Sequence, residues 1–297
     1  MSTVTFERVM TESATHLRVA IPNKGALSEE AVQLVKDAGY RCRRDDRELF
    51  ALDREHGLEF VFLRPRDIAV YVGNGTVDLG ITGRDLARDS GAEVTELLPL
   101  GFGRAAFHYA APRDADITRD TLGGLRIATS YPHIVREDLA ARGLEAKVVR
   151  LDGAVEISSR LGVADVIADV VQSGKTLQQA GLRILGEPLL SSEAVLIGRN
   201  ASAVEQEAVR TLMERFQGIL VAREYVVIEY DLPKALLSKA TEITPGVEAP
   251  TVSPLSKPDW VAVKAMTARK EFNRTMDELK KLGASGIIVT DIRSCRL

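Results

Sequence analysis

The sequence of 297 residues contains few cysteines, few aromatic residues and no excess of positive charge. Its two cysteines, Cys42 and Cys295, lie far apart and belong to no C-x-x-C pair, so a disulfide framework is not supported. Lys and Arg number 39 and Asp and Glu number 42, which gives a net charge of −3. Because nucleic-acid-binding domains usually carry a basic excess, we expect no nucleic-acid partner, although a local anion site is compatible with this balance.

Long apolar segments are also missing. No apolar run approaches the roughly 18–20 residues that cross a bilayer, and the polar first 16 residues lack the apolar core of a signal peptide. We therefore interpret residues 1–16 as an N-terminal tail, and expect a cytoplasmic location and no membrane partner. The composition, with 45% hydrophobic and 27% charged residues, is that of an ordinary globular protein, and the length predicts two or three domains.

Between residues 17 and 180, apolar segments typical of strands alternate with segments of helical periodicity. Ser28 is placed to cap the first of the helices. The alternation predicts an α/β fold built on an open, mainly parallel sheet, in which ligands bind beyond the carboxyl ends of the strands. The predicted strands are 17–21, 59–63, 78–82, 94–98, 107–111, 126–129, 146–150 and 165–171, and the predicted helices are 29–38, 65–72, 83–90, 134–142, 154–161 and 175–180.

After residue 200 the pattern changes to one long predicted helix, 204–224, followed by shorter elements. Their order, βαββαβ, is typical of ferredoxin-like domains. We therefore place a domain boundary near residue 224. The predicted elements beyond it are the strand 225–230, the helix 234–240, the strands 250–255 and 260–266, the helix 270–282 and the strand 284–290.

The strongest chemical signal is the segment 166–176, VIADVVQSGKT. An apolar strand ends near Asp169, and after a turn the sequence SGKT opens a helix. Unpaired N–H groups at a helix start favour phosphate, glycine lets the backbone come close, and the hydroxyl and ammonium groups add donors. The alternative is a solvated turn capped by Ser173, and a lone motif of this kind leaves both interpretations open.

Other enzyme classes are disfavoured by residue type or context. A P-loop NTPase needs glycine at position 169, where an aspartate would repel a triphosphate. The pattern G-x-G-x-x-A at 101–106 is followed by a strand-like segment instead of a helix, so a dinucleotide-binding fold is not supported. The histidines and cysteines show no zinc-binding spacing, and the G-x-S-x-G elbow of an α/β-hydrolase does not occur.

Other loops that follow predicted strands also carry charge or glycine. Asp152 and Glu156 either stabilise a helix start or face sugar hydroxyls or Mg²⁺. Asp165, at the start of its strand, is interpreted as structural. A single charged loop is more often solvated surface, but an open sheet gathers such loops at one edge. Besides the 152–156 segment, the loops of this kind after predicted strands are 22–25, 64–67 and 82–85.

Together these segments resemble the ATP phosphoribosyltransferase family in its long form, the first enzyme of histidine biosynthesis. The resemblance spans residues 17–297. It rests on residues 18–27 (RVAIPNKGAL), 62–68 (FLRPRDI), 78–85 (DLGITGRD), 126–132 (RIATSYP), 151–156 (LDGAVE) and 164–177 (ADVIADVVQSGKTL).

The resemblance implies a two-lobed catalytic core over 17–224, like that of periplasmic binding proteins. Lobe I would comprise 17–105 and 190–224, and lobe II 106–189. A ferredoxin-like regulatory domain that binds histidine as an inhibitor would follow over 225–297. The implied reaction is the Mg²⁺-dependent transfer of a phosphoribosyl group from 5-phosphoribosyl 1-diphosphate to N1 of ATP. The resemblance also implies a homo-oligomer, a dimer or hexamer.

Residue roles are implied at the matching positions. Asp169 and Glu156 are the implied catalytic acids, and Mg²⁺ is expected to bind through substrate phosphates, with either acid as a candidate ligand. The candidate phosphoribosyl diphosphate contacts are Asp152, Gly153, Asp169, Ser173, Gly174, Lys175 and Thr176. The candidate ATP contacts are Lys24, Gly25, Arg64, Asp67, Gly83, Asp85 and Tyr131, and the candidate histidine contacts are Asp231, Thr251 and Gly286.

The same two-lobed cleft would also suit a small-molecule receptor, because the residues do not identify a certain catalytic base. Such a receptor would close on its ligand without turnover, whereas the transferase would form phosphoribosyl-ATP.

Overall fold

The computed structural model describes residues 16–42, 48–171 and 174–296. Within these ranges the chain has sixteen strands and eight α-helices. The strands are β1 (Leu17–Pro22), β2 (Phe50–Asp53), β3 (Leu58–Leu63), β4 (Leu79–Gly83), β5 (Thr95–Pro99), β6 (Ala105–Pro112), β7 (Arg126–Thr129), β8 (Lys147–Arg150), β9 (Val166–Val171), β10 (Leu182–Ile184), β11 (Leu190–Ser192), β12 (Ala194–Gly198), β13 (Tyr225–Pro233), β14 (Thr251–Pro254), β15 (Trp260–Ala268) and β16 (Ser285–Asp291). The helices are α1 (Ala26–Asp37), α2 (Pro65–Gly73), α3 (Arg84–Asp89), α4 (Pro132–Ala141), α5 (Lys175–Gln179), α6 (Glu207–Glu224), α7 (Leu237–Ile243) and α8 (Phe272–Leu282).

The first sheet has the order β2-β3-β1-β4-β12-β5. Its centre is the parallel trio β3, β1 and β4, in which Pro22 pairs with Leu63 at the carboxyl end. The apolar residues of these strands are buried, and helix α2 packs on one face of the sheet through Ile68, Ala69 and Val72. The loops that follow β1, β3 and β4 therefore leave the sheet at one edge.

The second sheet has the order β10-β6-β9-β7-β8, and β11 also pairs with β6. Its parallel trio is β9, β7 and β8, in which Thr129 pairs with both Arg150 and Ala168. Helix α4 covers one face of this sheet with Ile134, Val135 and Leu139. The chain crosses between the sheets twice, over residues 100–104 and at residue 193.

The prediction of a mainly parallel sheet is wrong, although the α/β fold class is confirmed. Among the described strands, each of these two sheets joins two neighbouring pairs in parallel and three in antiparallel. One reason is that the chain enters the other sheet at each crossing. The strand it forms there, β6 or β12, runs antiparallel to its neighbours. Gly101 and Gly103, both with positive φ, lie in the first crossing.

Two local predictions near the loops are also wrong. Helix α1 begins at Ala26, with Gly25 at φ +80° before it, so Ser28 lies inside the helix and does not cap it. The predicted helix 154–161 is only a single 3₁₀ turn at Val155–Ile157. There the hydroxyl of Ser158 donates to the carbonyl of Val155 at 2.6 Å, a local bond that competes with helical pairing.

Four short strands escaped prediction: β2, β10, β11 and β12. Three of them have only three or four residues, too few for a periodic signal. The fourth, β12, is a fully buried run, and a run of that kind has no alternation that would separate it from a loop or helix. The helix predicted from 204 starts instead at Glu207, after a 3₁₀ segment, Ala201–Glu205.

The chain divides into two compact units that meet between Arg210 and Thr211, inside α6. The second unit contains a four-stranded antiparallel sheet of order β14-β15-β13-β16, with α7 and α8 between its strands in sequence. Its core includes Ile228, Tyr230, Val263 and Leu279. This order and the βαββαβ sequence of elements confirm the ferredoxin-like fold. Within the part of the chain that the structure describes, no helix is long and apolar enough to span a membrane.

The hairpin of β2 and β3 is closed by a fully buried carboxylate, that of Asp53. It accepts hydrogen bonds from the Arg41 amide and from His56 Nδ1, both at 2.8 Å. Burial alone would raise the pKa of Asp53, but these bonds outweigh it and hold the pKa below the ordinary value. The ionised carboxylate therefore stabilises the fold above the unfolded-state pKa of about 4, and this stability is lost as the pH falls through the lower folded-state pKa.

We predict that Asp53→Asn destabilises the first unit by about 1.5–3 kcal/mol at pH 7, because hydrogen bonds to a buried charge are lost. The difference from the wild type should shrink as the pH falls below about 4. Urea unfolding followed at several pH values measures both effects. Equal stability of the two proteins at pH 7 would contradict the assignment.

Candidate active site

A pocket of about 320 Å³ lies at the carboxyl end of β9. Asp169 enters it from the strand, and Glu156 enters it from the 3₁₀ turn that follows β8. Thr176 lines it from α5, and Gly174, at φ +69°, caps that helix in the left-handed conformation that glycine adopts most readily. Lys175 is exposed at the start of α5. The structure thus brings together the two acids and the GKT sequence.

The electrostatics of this pocket centre on Asp169. Burial raises the pKa of its carboxyl group above the usual value, and the negative charges of Glu156 and Asp85 raise it further. The backbone amide of Val170, which donates to Asp169 Oδ1 at 2.7 Å, and the guanidinium of Arg66 act in the opposite direction. A cation in the pocket would therefore stabilise the negative charge of the Asp169 carboxylate.

The remaining residues of the 152–156 loop differ in exposure. Asp152 and Gly153 are exposed, and Asp152 lies 3.6 Å from Arg150. Ala154 adopts φ +47°, an unfavourable conformation for a residue with a Cβ, immediately before the turn that carries Glu156. The local backbone, not a helix, thus directs Glu156 into the pocket. Ser173, which was predicted to contact phosphate, lies outside the described residues.

Asp165, predicted to be structural, has that role in the structure. Its carboxylate accepts hydrogen bonds from the Arg126 amide at 2.9 Å and from Arg126 Nη2 at 2.7 Å. These bonds join the starts of β7 and β9, at the opposite end of the sheet from the pocket. Asp165 precedes β9 and lies outside the pocket, whereas Asp169, within β9, lines it.

The candidate ATP residues follow the parallel trio of the first sheet. Lys24, Gly25, Arg64 and Asp67 are exposed in the loops and helix starts after β1 and β3. Because Pro22 pairs with Leu63, these residues share one edge of the sheet.

Asp85 and Gly83 lie in a different environment from the exposed residues. Asp85 is buried, and its carboxylate accepts a hydrogen bond from Ser192 Oγ at 2.7 Å. A Cβ on Gly83 would overlap the Asp85 carboxylate, so glycine is required for this side chain to turn back on the strand end. In this structure the carboxylate bonds to the protein itself, and the predicted ATP contact stays a prediction.

Tyr131 joins the two lobes. Its buried ring lies against Phe107, with 5.2 Å between ring centroids, and under Arg66, whose Cζ lies 4.5 Å from the ring centroid. Burial raises the pKa of the Tyr131 hydroxyl strongly, and the nearby Asp85 carboxyl group adds to that shift. Arg66 follows β3 of the first sheet and Tyr131 follows β7 of the second, so the carboxyl edges of the two sheets face each other here.

Sequence reasoning grouped Arg66 with its charged neighbours but gave it no role, and it missed Ser192. The structure places Arg66 over Tyr131 and within electrostatic reach of Asp169. The available signal for Arg66 was its position three residues beyond the end of β3, at the ligand-binding edge. Ser192 carried no such signal, because it lies 107 residues from its partner Asp85.

The candidate histidine residues lie in the second unit. Gly286 has φ +59°, and a Cβ there would come within 3.4 Å of Asp231 Oδ2, so these two residues are brought together. Thr251 is exposed on the outer strand β14, where it pairs with Lys264 of β15. Since β15 lies between β14 and β13, the structure separates Thr251 from Asp231 by one strand.

Comparisons with known proteins identify the family. A model described as ATP phosphoribosyltransferase matches residues 64–218, and one described as HisG, C-terminal domain, matches residues 222–294. The ATP phosphoribosyltransferase of Salinibacter ruber is 59% identical over 95% of this chain and 100% of its own length. The chain belongs to the ATP phosphoribosyltransferase family.

Other relatives of the same name agree with this assignment. Those of Rhodococcus jostii and Mycobacterium tuberculosis are 58% and 55% identical, each over 94% of this chain and 99% of the relative. A solved complex titled ATP phosphoribosyl transferase (HisG:HisZ), from Thermotoga maritima, has a TM-score of 0.62 at 24% identity and covers 69% of this chain and 98% of its own. That structure supports the fold alone.

Membership of the ATP phosphoribosyltransferase family makes the chain an enzyme, a glycosyltransferase that transfers pentosyl groups. It places the chain in histidine biosynthesis, in a family that requires a divalent metal. The alternative of a receptor without turnover is therefore wrong, and so is that of a P-loop NTPase.

We predict that Tyr131→Phe destabilises the first unit by about 1–3 kcal/mol, because the buried Asp85 carboxyl group loses its interaction with the Tyr131 hydroxyl. Tyr71→Phe is the matched control: Tyr71 is 39% exposed on α2, and its loss of a hydroxyl should change stability by less than about 0.5 kcal/mol. Urea unfolding at pH 7 compares the two. Equal effects would contradict a stabilising interaction between Tyr131 and Asp85.

Proposed function

We propose that this chain transfers the phosphoribosyl group of 5-phosphoribosyl 1-diphosphate to N1 of ATP. The products are 1-(5-phosphoribosyl)-ATP and diphosphate, in the first step of histidine biosynthesis. The observation that carries the proposal is the pocket in which Asp169, Glu156 and Thr176 converge beside the GKT sequence, across from the cationic edge of lobe I. Family membership supports ATP as a substrate.

The phosphoribosyl group would occupy the lobe II side of the crevice. Lys175, Thr176 and the loop that includes Ser173 and Gly174 would bind its 5-phosphate, because they combine a cation, hydroxyls and an accessible backbone. Asp169 would face the ribose, with Glu156 beside it and Asp152 and Gly153 at the rim. Burial of Asp169 supports this role, because a desolvated carboxylate interacts strongly with a developing positive charge.

ATP would occupy the lobe I side. Lys24 and Arg64 are exposed cations at the shared edge of β1 and β3, suited to a triphosphate, and Gly25 and Asp67 lie beside them. The Tyr131 ring is a candidate surface for adenine. Since Asp85 is buried, Gly83 and Asp85 would act indirectly, by fixing the backbone conformation at this edge of the sheet.

The chemistry requires little beyond positioning and electrostatics. The lone pair of adenine N1 forms a bond to C1 of the ribose while the bond from C1 to the diphosphate oxygen breaks, and the electron pair leaves with diphosphate. The ring carries positive charge in the transition state, which Asp169 and Glu156 would stabilise. Cations on both sides would hold the two polyanionic substrates in line. This alignment would raise the effective concentration of adenine N1 at C1 of the ribose.

The acids of the pocket fit Mg²⁺. Among the described residues, no group of three or more His, Cys, Asp or Glu side chains is arranged to hold a metal ion by itself. Glu156 and Asp169 do share one pocket, and Mg²⁺ typically binds through one or two carboxylates together with substrate phosphates. A bound Mg²⁺ would offset the negative charge that develops on the leaving diphosphate.

We also propose that residues 17–224 form the catalytic core, with lobes over 17–105 plus 190–224 and over 106–189, and that residues 225–297 bind histidine as a feedback inhibitor. Asp231 would bind the histidine amino group, with Gly286 giving it room and Thr251 contributing from the adjoining outer strand. A homo-oligomer, a dimer or hexamer, in the cytoplasm completes this proposal.

The transferase proposal predicts product from labelled ATP, 5-phosphoribosyl 1-diphosphate and Mg²⁺ together. Asp169→Asn, which preserves the size of the side chain, should lower kcat/KM by about 10²–10³-fold because it removes the charge facing the sugar. Thr176→Ala should mainly raise KM for the sugar phosphate. Asp116→Asn, at an exposed loop position, is the control and should retain wild-type activity. A wild-type enzyme that forms no phosphoribosyl-ATP would overturn the proposal.

The regulatory proposal predicts that Asp231→Asn weakens inhibition by histidine at least about tenfold, because the carboxylate that pairs with the amino group loses its charge. Activity without histidine should not change. Asp277→Asn, exposed on α8, is the control. The measurement is the histidine concentration for half-inhibition at fixed substrates. Unaltered inhibition of the Asp231 variant, with wild-type inhibition of the control, would place the effector elsewhere.

A further inference from the structure

The start of helix α4 in lobe II is capped by a side chain of lobe I. Asp89, the last residue of α3, directs its carboxylate at the first turn of α4. Its Oδ1 accepts hydrogen bonds from the amides of His133 at 2.9 Å and of Ile134 at 3.3 Å. Only 10% of the Asp89 side chain is exposed, so these bonds are largely shielded from water.

Helix α4 has no cap of its own. Its N-cap residue, Tyr131, makes no side-chain hydrogen bond to the helix, and the first turn contains no acidic residue. Pro132 is the first residue of the helix and has no N–H group. The amides of the next residues have no acceptor within the helix. Asp89 meets that need and places a negative charge at the positive end of the helix dipole.

A second contact, made by Arg66, joins the two lobes at the same place. Arg66 Nη1 donates to the carbonyl of Ser130 at 2.9 Å and lies 3.6 Å from Asp89 Oδ2. The guanidinium thus links Asp89 to the residue just before α4, while it also lies over Tyr131. Lobe I thereby binds the segment 130–134 of lobe II on both sides of the Tyr131 backbone.

We propose that Asp89 is a latch between the lobes, a positioning residue that holds Ser130 and Tyr131 against Arg66 before any substrate binds. The crevice is then partly closed in the free enzyme, and the position of the Tyr131 ring is set by lobe I. Asp89 itself touches no substrate, since its carboxylate is occupied by the two helix amides and Arg66.

The test compares Asp89→Ala and Asp89→Leu with Arg88→Gln in the full chain. Arg88 is the matched control, because its ion pair with Glu137 at 2.9 Å also joins α3 to α4 but is exposed on both sides. Hydrogen–deuterium exchange without ligand is measured over residues 130–136. Both Asp89 variants should exchange these amides at least about tenfold faster than the wild type, with β7 unaffected and Arg88→Gln within about twofold.

Asp89→Asn provides the rescue, because it keeps an acceptor oxygen and should restore at least part of the protection. Exchange over 130–136 that is as slow in the folded Ala or Leu variant as in the wild type overturns the latch, as does failure of Asn to restore any protection. If the Asp89→Ala variant does not fold, the Asp89→Leu variant decides the result, because leucine fills the space without providing an acceptor.

A kinetic measurement rests on the proposed transferase function. Loss of the latch should raise KM for ATP by about fivefold or more while kcat falls less, because the chemistry remains but the crevice must first be ordered. Unchanged KM in a folded Asp89→Ala enzyme overturns the link between the latch and the site. Absence of turnover in the wild type would instead refute the transferase proposal and leave the exchange test valid.

Discussion

The buried carboxylate of Asp85 is the contact on which the geometry of the candidate site depends. It accepts a hydrogen bond from Ser192, in the strand just before the second crossing, and it lies near enough to Tyr131 to raise the pKa of the tyrosine hydroxyl. A polar group removed from water is costly unless hydrogen bonds compensate it. The strand end at Gly83, the crossing and the first residues before α4 therefore meet around one buried carboxyl group.

Around that group, charged residues from both sheets meet. Asp169 and Glu156 lie beside the second sheet, where burial and the charge of Glu156 raise the pKa of Asp169. Exposed cations follow strands of the first sheet, and among them Arg66 reaches across to Tyr131. The facing carboxyl edges of the two sheets thus bring acids and cations close together.

Neither sheet could supply the site alone. The pocket beside Asp169 is built entirely from lobe II, but the Tyr131 ring is held by Asp85 and Arg66 of lobe I. Lobe orientation is thus coupled to the local arrangement of the site, and the capping of α4 by Asp89 extends that coupling into the helix. The second unit has its own core around β13 and forms a separate sheet.

The sequence by itself determined which candidate site residues follow strands. Asp169 ends an apolar strand and precedes SGKT, and Lys24, Arg64 and Asp85 each follow a strand. The βαββαβ order beyond residue 224 likewise follows from local periodicity, because strand and helix patterns are properties of neighbouring residues. Tertiary structure alone decided that β6 and β12 run antiparallel to their neighbours, that Ser192 meets Asp85 and that Asp89 caps α4. Those outcomes depend on hydrogen bonds between residues up to 107 positions apart, which a local pattern does not encode.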